Sequence, residues 1–196
     1  HERLITILAA IFLLTYWFVL VYFGSPGSAF SMLDNIGTHI DKWVMGENHM
    51  YHGEGVAFDP EGILSTLPSI VNVLIGYRVG KFVQEKGKTF EGLMHLLMWG
   101  GGFVFLAFMW NYIFPINKKI WSSSFVVLTI GLDMIVLATI IWRVEFERQL
   151  QFTSFFEVFG KNPLVIYLFS ELLATIMYIT NIGDQSTFEW TFTHLF

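Results

Sequence analysis

Two carboxylates flank a proline in Phe58-Asp59-Pro60-Glu61-Gly62-Ile63-Leu64-Ser65-Thr66-Leu67-Pro68, just ahead of an apolar run. Proline suits the first turn of a helix, an Asp before it can cap free amides, and a first-turn Glu is favoured by the helix dipole. Asp59 and Glu61 are therefore expected at a helix start, either as a well-made terminus alone or as the lining of a polar substrate pocket. His39, His49 and His52 lie upstream, where Gly46, Gly53 and Gly55 mark a loop. Zinc needs three or four ligands in fixed geometry, and with no HExxH-type spacing no metal is expected. His49 is a candidate general base near neutral pH, against the plainer reading of a solvated loop residue. In Pro115-Ile116-Asn117-Lys118-Lys119-Ile120-Trp121-Ser122-Ser123, one of the two lysines is expected to bind an anionic group, unless the pair only offsets nearby acidic charge. Asn162-Pro163 pairs a capping residue with a first-turn proline before a further apolar run.

Asp133 and Glu171 fall near the midpoints of apolar runs. A carboxylate at such depth costs about 2.5–3.5 kcal/mol on insertion scales and usually faces a polar interior or a water-filled cavity. The plainer reading is a protonated or hydrogen-bonded packing residue. Arg78 can snorkel to an interface, and Gly76-Tyr77-Arg78-Val79-Gly80 has the spacing that permits close helix contact. Gly100-Gly101-Gly102 reads as another close contact or as a local kink.

The elements that must position these residues are membrane helices. Of 196 residues, 54% are hydrophobic and only 14% charged, with mean hydropathy +0.57, where a soluble domain carries about 25% charge. The apolar content excludes disorder, and a net charge of -5 argues against nucleic acid as a partner. The absence of cysteine excludes a disulfide scaffold and thiolate metal sites. Leu4 to Phe23 is an uncharged run of 20 residues, which at about 1.5 Å per residue matches a hydrocarbon core of about 30 Å and exceeds a signal-peptide core. Further spans are expected at 62–82, 93–114, 124–142 and 164–180, and Glu189 begins what reads as a sixth. The expected fold class is all-α, a polytopic transmembrane bundle of about five spans forming one multi-span domain over 1–196. The chain opens on His1 and stops at Phe196 inside an apolar stretch, so it reads as a fragment of a longer protein.

Lys and Arg favour the cytoplasmic side. With the N-terminus cytoplasmic, Arg3, Arg78, Lys81, Lys86, Lys88, Arg143, Arg148 and Lys161 fall on or near that face, and only Lys42, Lys118 and Lys119 fall outside. The outer loop 24–61 holds Asp34, Asp41, Glu47, Glu54, Asp59 and Glu61 against Lys42 alone, and its length marks it as functional rather than a simple connection. Phe30, Leu33, Ile36, Ile40 and Trp43 recur in it at helical spacing, which predicts a short amphipathic helix on the outer membrane surface.

Several blocks resemble the heparan-alpha-glucosaminide N-acetyltransferase family, including its uncharacterised bacterial branch. They are Gly46-Glu47-Asn48-His49-Met50-Tyr51, Phe58 to Thr66, Pro115 to Ser122, and Gly160-Lys161-Asn162-Pro163-Leu164, in the family's order and spacing. The resemblance runs from about Ile36 to Glu171 and fits the C-terminal portion. It implies a membrane acyltransferase that passes acetyl from cytosolic acetyl-CoA, as co-substrate, to an amino-sugar amine on the outer side. It also implies that the catalytic histidine lies in an N-terminal half this chain does not include, so that His49 is not that residue and the chain alone is inactive. His49, Asp59, Glu61, Asn117, Lys118, Trp121 and Asn162 carry over as pocket-forming or structurally required positions, with Asp133 and Glu171 as intramembrane polar groups. The partners this implies are the lipid bilayer, a small sugar, the N-terminal half of the same protein and, as an option, a second copy in a homodimer. The bacterial inner membrane is the expected location. The competing reading is an amino-sugar transporter, with Asp133 and Glu171 along a permeation path; a third is a half-molecule that only packs against a partner.

Overall fold

The computed structural model describes residues 2–53, 55–148, 153–183 and 185–195. It is all-α apart from one two-residue hairpin, and it divides into two compact units, His1–Phe146 and Glu147–Phe196.

In the first unit, α1 (Glu2–Phe23) is an unbroken apolar helix. Turns then lead to α2 (Ile36–Met45), which Asn35 caps by accepting the Thr38 amide at 3.0 Å. Gly46 ends α2 with a positive φ of 77°, a conformation glycine adopts without steric cost. After a single 3-10 turn, α3 (Thr66–Lys86) runs antiparallel to α1, so that Lys81 meets Glu2 and Arg78 meets Thr6. Helix α4 (Phe90–Asn111) opens on Thr89, whose hydroxyl accepts the Gly92 amide. Helix α5 (Ser123–Ile141) opens on Ser122 in the same way and continues into a π-helical turn over Trp142–Phe146.

Leu13, Val71, Ile75, Val127 and Ile130 form the apolar centre between α1, α3 and α5. On the other side of α1, Leu4, Ile7, Ile11, Leu14 and Phe18 repeat at helical spacing and are each about half exposed. A bundle with a greasy outside as well as a greasy inside is built for lipid. Among the described residues three helices are long and apolar enough to cross a membrane: α1, α4 and the continuous Ser123–Phe146 segment. The chain is thus a membrane protein. Helix α3, at 21 residues, is nearly as long, but Arg78, Lys81, Glu85 and Lys86 hold its hydropathy below theirs.

Helices α4 and α5 touch backbone to backbone. A Cβ on Gly131 would stand 2.8 Å from both the Gly100 carbonyl and the Val104 amide, and one on Gly100 would stand 2.8 Å from the Gly131 carbonyl. Of the glycine triplet only Gly100 makes this approach, since Gly101 and Gly102 have nothing within 4 Å. The close contact expected at Gly76 and Gly80 does not form: neither has a neighbour within 4 Å, because α3 turns its Val71–Ile75 face to the bundle and the glycines away from it.

The second unit holds α6 (Thr153–Lys161), α7 (Pro163–Ile179), β1 (Asn181–Ile182) paired antiparallel with β2 (Gln185–Ser186), and α8 (Thr187–Leu195). Helices α6 and α7 meet at 88° across Asn162 and together pass as one broken span or a re-entrant loop. The bend follows from Pro163, which cannot donate to the preceding turn. Tyr178 stacks on Phe188 at 4.5 Å, and Thr187 bonds to Thr180, so α8 folds back on the end of α7. The five expected spans therefore meet three membrane-competent helices, or four with the bent pair.

Candidate functional site

Helix α2 packs by its polar stripe. Asn35, Thr38 and Asp41, three residues apart, are all buried, while Trp43 is 86% exposed and Val44 is exposed beside it. Ile36 packs inward against the Tyr16, Leu20 and Phe114 cluster, and Trp43 and Val44 at the C-terminal end are the apolar residues free to meet a membrane surface. The inward stripe is satisfied internally: Asn35 Nδ2 donates to the Ser31 carbonyl at 2.7 Å, and the Thr38 hydroxyl donates to the Met32 carbonyl at 2.8 Å. Asp41 reaches further. Its Oδ1 accepts the Ile63 amide at 2.9 Å, and a Cβ on Gly62 would lie 2.1 Å from its Oδ2. The Asp-Pro-Glu-Gly segment is therefore laid directly over a buried carboxylate, and glycine is the residue that leaves room for it.

This contact also changes where α3 begins. Asp59 does not cap a helix; its Oδ1 accepts the Glu61 amide at 2.9 Å and closes a local turn. Pro60 and Glu61 lie in that turn, and the helix starts at Thr66. With the Ile63 amide taken by Asp41, the chain cannot enter the helix at Pro60.

Two motif blocks far apart in sequence line one small cavity here. Asp41, Asp59, Gly62 and Ser65 line it together with Tyr16 and Lys119. The Tyr16 hydroxyl donates to the Ile120 carbonyl, tying α1 to the turn before α5. A third block is joined on by the Phe58 amide, which donates to the Tyr51 carbonyl at 3.0 Å. The cavity measures about 20 Å³, the room of a single water molecule. Any larger ligand would have to be read at its mouth.

Burial raises the Asp41 carboxyl above the ordinary carboxylate range; the Ile63 amide opposes this, and the nearby Asp59 charge adds to it. An acid whose folded value is raised binds more protons folded than unfolded. Its contribution to stability is complete below the unfolded value and is lost as pH rises through the folded one. Thermal unfolding of detergent-solubilised protein over an acid-to-neutral series is therefore expected to show stability falling with pH more steeply in the wild type than in Asp41→Asn. Parallel curves would remove Asp41 as the source. Tyr16, Asp59 and Lys119 face the same cavity and are common to both proteins.

The remaining sequence candidates distribute as follows. Glu61 is exposed. His49 is exposed at the end of the 3-10 turn, its Nδ1 3.0 Å from the Met45 carbonyl. Asn117 is a structural residue of its turn, accepting the Lys119 amide at 2.9 Å through its side chain while its own amide donates to Ser122 Oγ. Lys118 points to the exterior, and Lys119 is the lysine that lines the cavity. Trp121 has φ 51°, strained for a bulky side chain, and its buried indole N–H has no hydrogen-bond partner among the described residues. Strain and an orphaned donor beside a candidate site are a pairing found at functional positions. Asp133 is on an exposed face of α5. In the second unit, Glu171 is exposed on α7, and Asn162 precedes α7 with its Nδ2 donating to the Val158 carbonyl at 3.0 Å. No group of three or more His, Asp or Glu side chains is placed to hold a metal among the described residues.

Sequence reasoning missed Asp41 and Tyr16, and of the two lysines it singled out it carried over Lys118, whereas Lys119 lines the cavity. For Asp41 a signal was present, the spacing of Asn35, Thr38 and Asp41 along one face of a helix, but it runs beside an apolar stripe that looks like the buried one.

No family model matches the chain. It is 30% identical over 151 residues to the heparan-alpha-glucosaminide N-acetyltransferase of Mus musculus, covering 69% of this chain and 23% of that protein. With the Homo sapiens protein of the same name it shares 29% over 150 residues, covering 68% and 22%. The chain thus spans under a quarter of the length of these relatives. Motif content and alignment together make it a relative of the heparan-alpha-glucosaminide N-acetyltransferases, matched over a part of their length.

Proposed function

We propose that the chain contributes the acceptor side of a membrane acyltransferase, which moves acetyl from cytosolic acetyl-CoA to the amine of an amino sugar across the bilayer. The convergence of the Phe58–Thr66 and Pro115–Ser122 blocks on one cavity, at the end of the bundle that carries α2, supports this reading most strongly. Similarity to two N-acetyltransferases supports the acyltransferase class. The side chains fit the acceptor: Asp59 lines the cavity and Glu61 is exposed two residues on, carboxylates suited to an ammonium or to sugar hydroxyls. A base must take one proton from the ammonium before it can attack. The amine then forms a C–N bond to the thioester carbonyl, the C–S bond breaks, and the nitrogen's surplus proton passes to the departing sulfur, so that an amide and the coenzyme thiol result. The base and the oxyanion donors belong to the longer protein, in keeping with a catalytic histidine in its N-terminal half.

Labelled acetyl-CoA supplied on the cytoplasmic face of vesicles carrying the full-length protein is expected to transfer label to an amino sugar on the other face. Asp59→Ala should reduce that transfer by about tenfold to a hundredfold, the worth of a hydrogen bond to a charged group. Unchanged turnover would remove Asp59 from the site, and uptake of unmodified sugar without label would replace the enzyme by the transporter.

A further inference from the structure

At the opposite end of the first unit lies a much larger cavity, about 410 Å³, bounded by α1, α3, α4 and α5. Its wall is apolar: Ile75, Phe82, Trp99, Phe103 and Met134. Its rim is charged, with Glu2, Arg78, Lys81 and Glu85. Lys81 is already engaged, its Nζ 2.8 Å from Glu2 and 3.9 Å from Glu85. Arg78 is not: among the described residues no carboxylate lies within ion-pair distance, and its partner is the Thr6 hydroxyl. It sits three residues before Lys81 on α3, and Glu2, bonded to Lys81, feels the Arg78 charge only at longer range. Trp99, 43% exposed, carries the apolar wall out to the lipid-facing surface.

We infer that this cleft holds a phospholipid with a monoanionic head group, its phosphate on Arg78 and an acyl chain along Phe82, Trp99 and Phe103. The bonding of the rim selects this occupant. The rim sums to zero, and Arg78 is the rim cation whose bonded partner is a neutral hydroxyl, so its guanidinium has donors for one phosphodiester, whereas the several charges of a nucleotide diphosphate would meet Glu2 and Glu85. A wall without polar groups suits a hydrocarbon chain, and an opening on the outer surface lets it enter from the bilayer. Cationic pockets between membrane helices take lipid head groups by the same physics.

Tryptophan quenching by brominated lipid tests the site directly. Purified protein in dodecyl maltoside micelles is titrated with dibrominated phosphatidylglycerol and, separately, with dibrominated diacylglycerol, which lacks the phosphate. Saturable quenching is expected with phosphatidylglycerol, with the saturable component absent in Trp99→Phe. Affinity should fall about tenfold or more in Arg78→Gln and be better retained in Arg78→Lys, which keeps the charge. Equal quenching by the two lipids, a saturable component that survives Trp99→Phe, or an Arg78→Gln protein that binds as tightly as the wild type would overturn the assignment. Release of the phosphatidylglycerol by low concentrations of coenzyme A would also overturn it, by making the cleft a site for a soluble phosphate ligand.

Discussion

Gly62→Ala is expected to destabilise the first unit by about 2–4 kcal/mol, the combined scale of an overpacked contact and a lost buried hydrogen bond. The added Cβ would fall 2.1 Å from the Asp41 carboxylate, and Asp41 is only 4% exposed, so the carboxylate has nowhere to swing. The Asp-Pro-Glu-Gly turn must lift away, breaking the bond from the Ile63 amide and opening the cavity shared by Asp59 and Lys119. Thermal unfolding in detergent gives the stability. Asp41→Ala alone orphans the Ile63 amide and destabilises too. Combined with Gly62→Ala it also relieves the overlap, so the double variant should lose clearly less than the two single losses together. Strict additivity would show that the two residues do not meet.

Gly131→Val should be the most damaging change within the bundle. The side chain would press on the Gly100 carbonyl and the Val104 amide, and neither backbone can yield without moving a whole helix. Membrane helices gain their mutual affinity from such close approach of small residues, since lipid gives them no hydrophobic reason to associate. The expected loss is about 3 kcal/mol or more, read as a lowered unfolding temperature and a broadened or aggregated profile on size-exclusion chromatography. Gly101→Ala and Gly102→Ala, where nothing lies within 4 Å, should leave the profile unchanged. Equal damage at 101 and 131 would mean that helix propensity, not contact, governs the region.

The helical class of the chain was legible because charge-free apolar runs admit few other structures in lipid, as at Leu4 to Phe23. The amphipathic helix was legible from Ile36, Ile40 and Trp43, although it starts at Ile36 and not nearer Phe30. What periodicity could not convey was which stripe of that helix meets the protein. A local pattern registers contrast between faces, and here the polar stripe is buried beside Ile36 because Asp41 accepts a backbone amide from 22 residues downstream. The same long-range bond explains why Asp59-Pro60-Glu61 reads as a helix start and is a turn. At Gly76 and Gly80 the spacing for close contact is present but on the wrong face of α3. Each of these differences arises where a tertiary contact settles a choice that local propensity leaves open. Lys118 and Lys119 show the same limit at the scale of one residue, for only the turn geometry puts the second of them on the cavity.

Helix α1 is fastened by two side-chain bonds to distant backbone: Tyr16 to the carbonyl of Ile120, 104 residues away, and Ser123 to the carbonyl of Leu13, 110 residues away, at 2.8 Å. During synthesis the first helix leaves the ribosome long before its fasteners exist, by roughly 5 to 20 seconds at ordinary elongation rates. Insertion of α1 and its locking are therefore separate events, and in the interval it can rotate and slide among lipids until the hairpin of α4 and α5 arrives to fix its register.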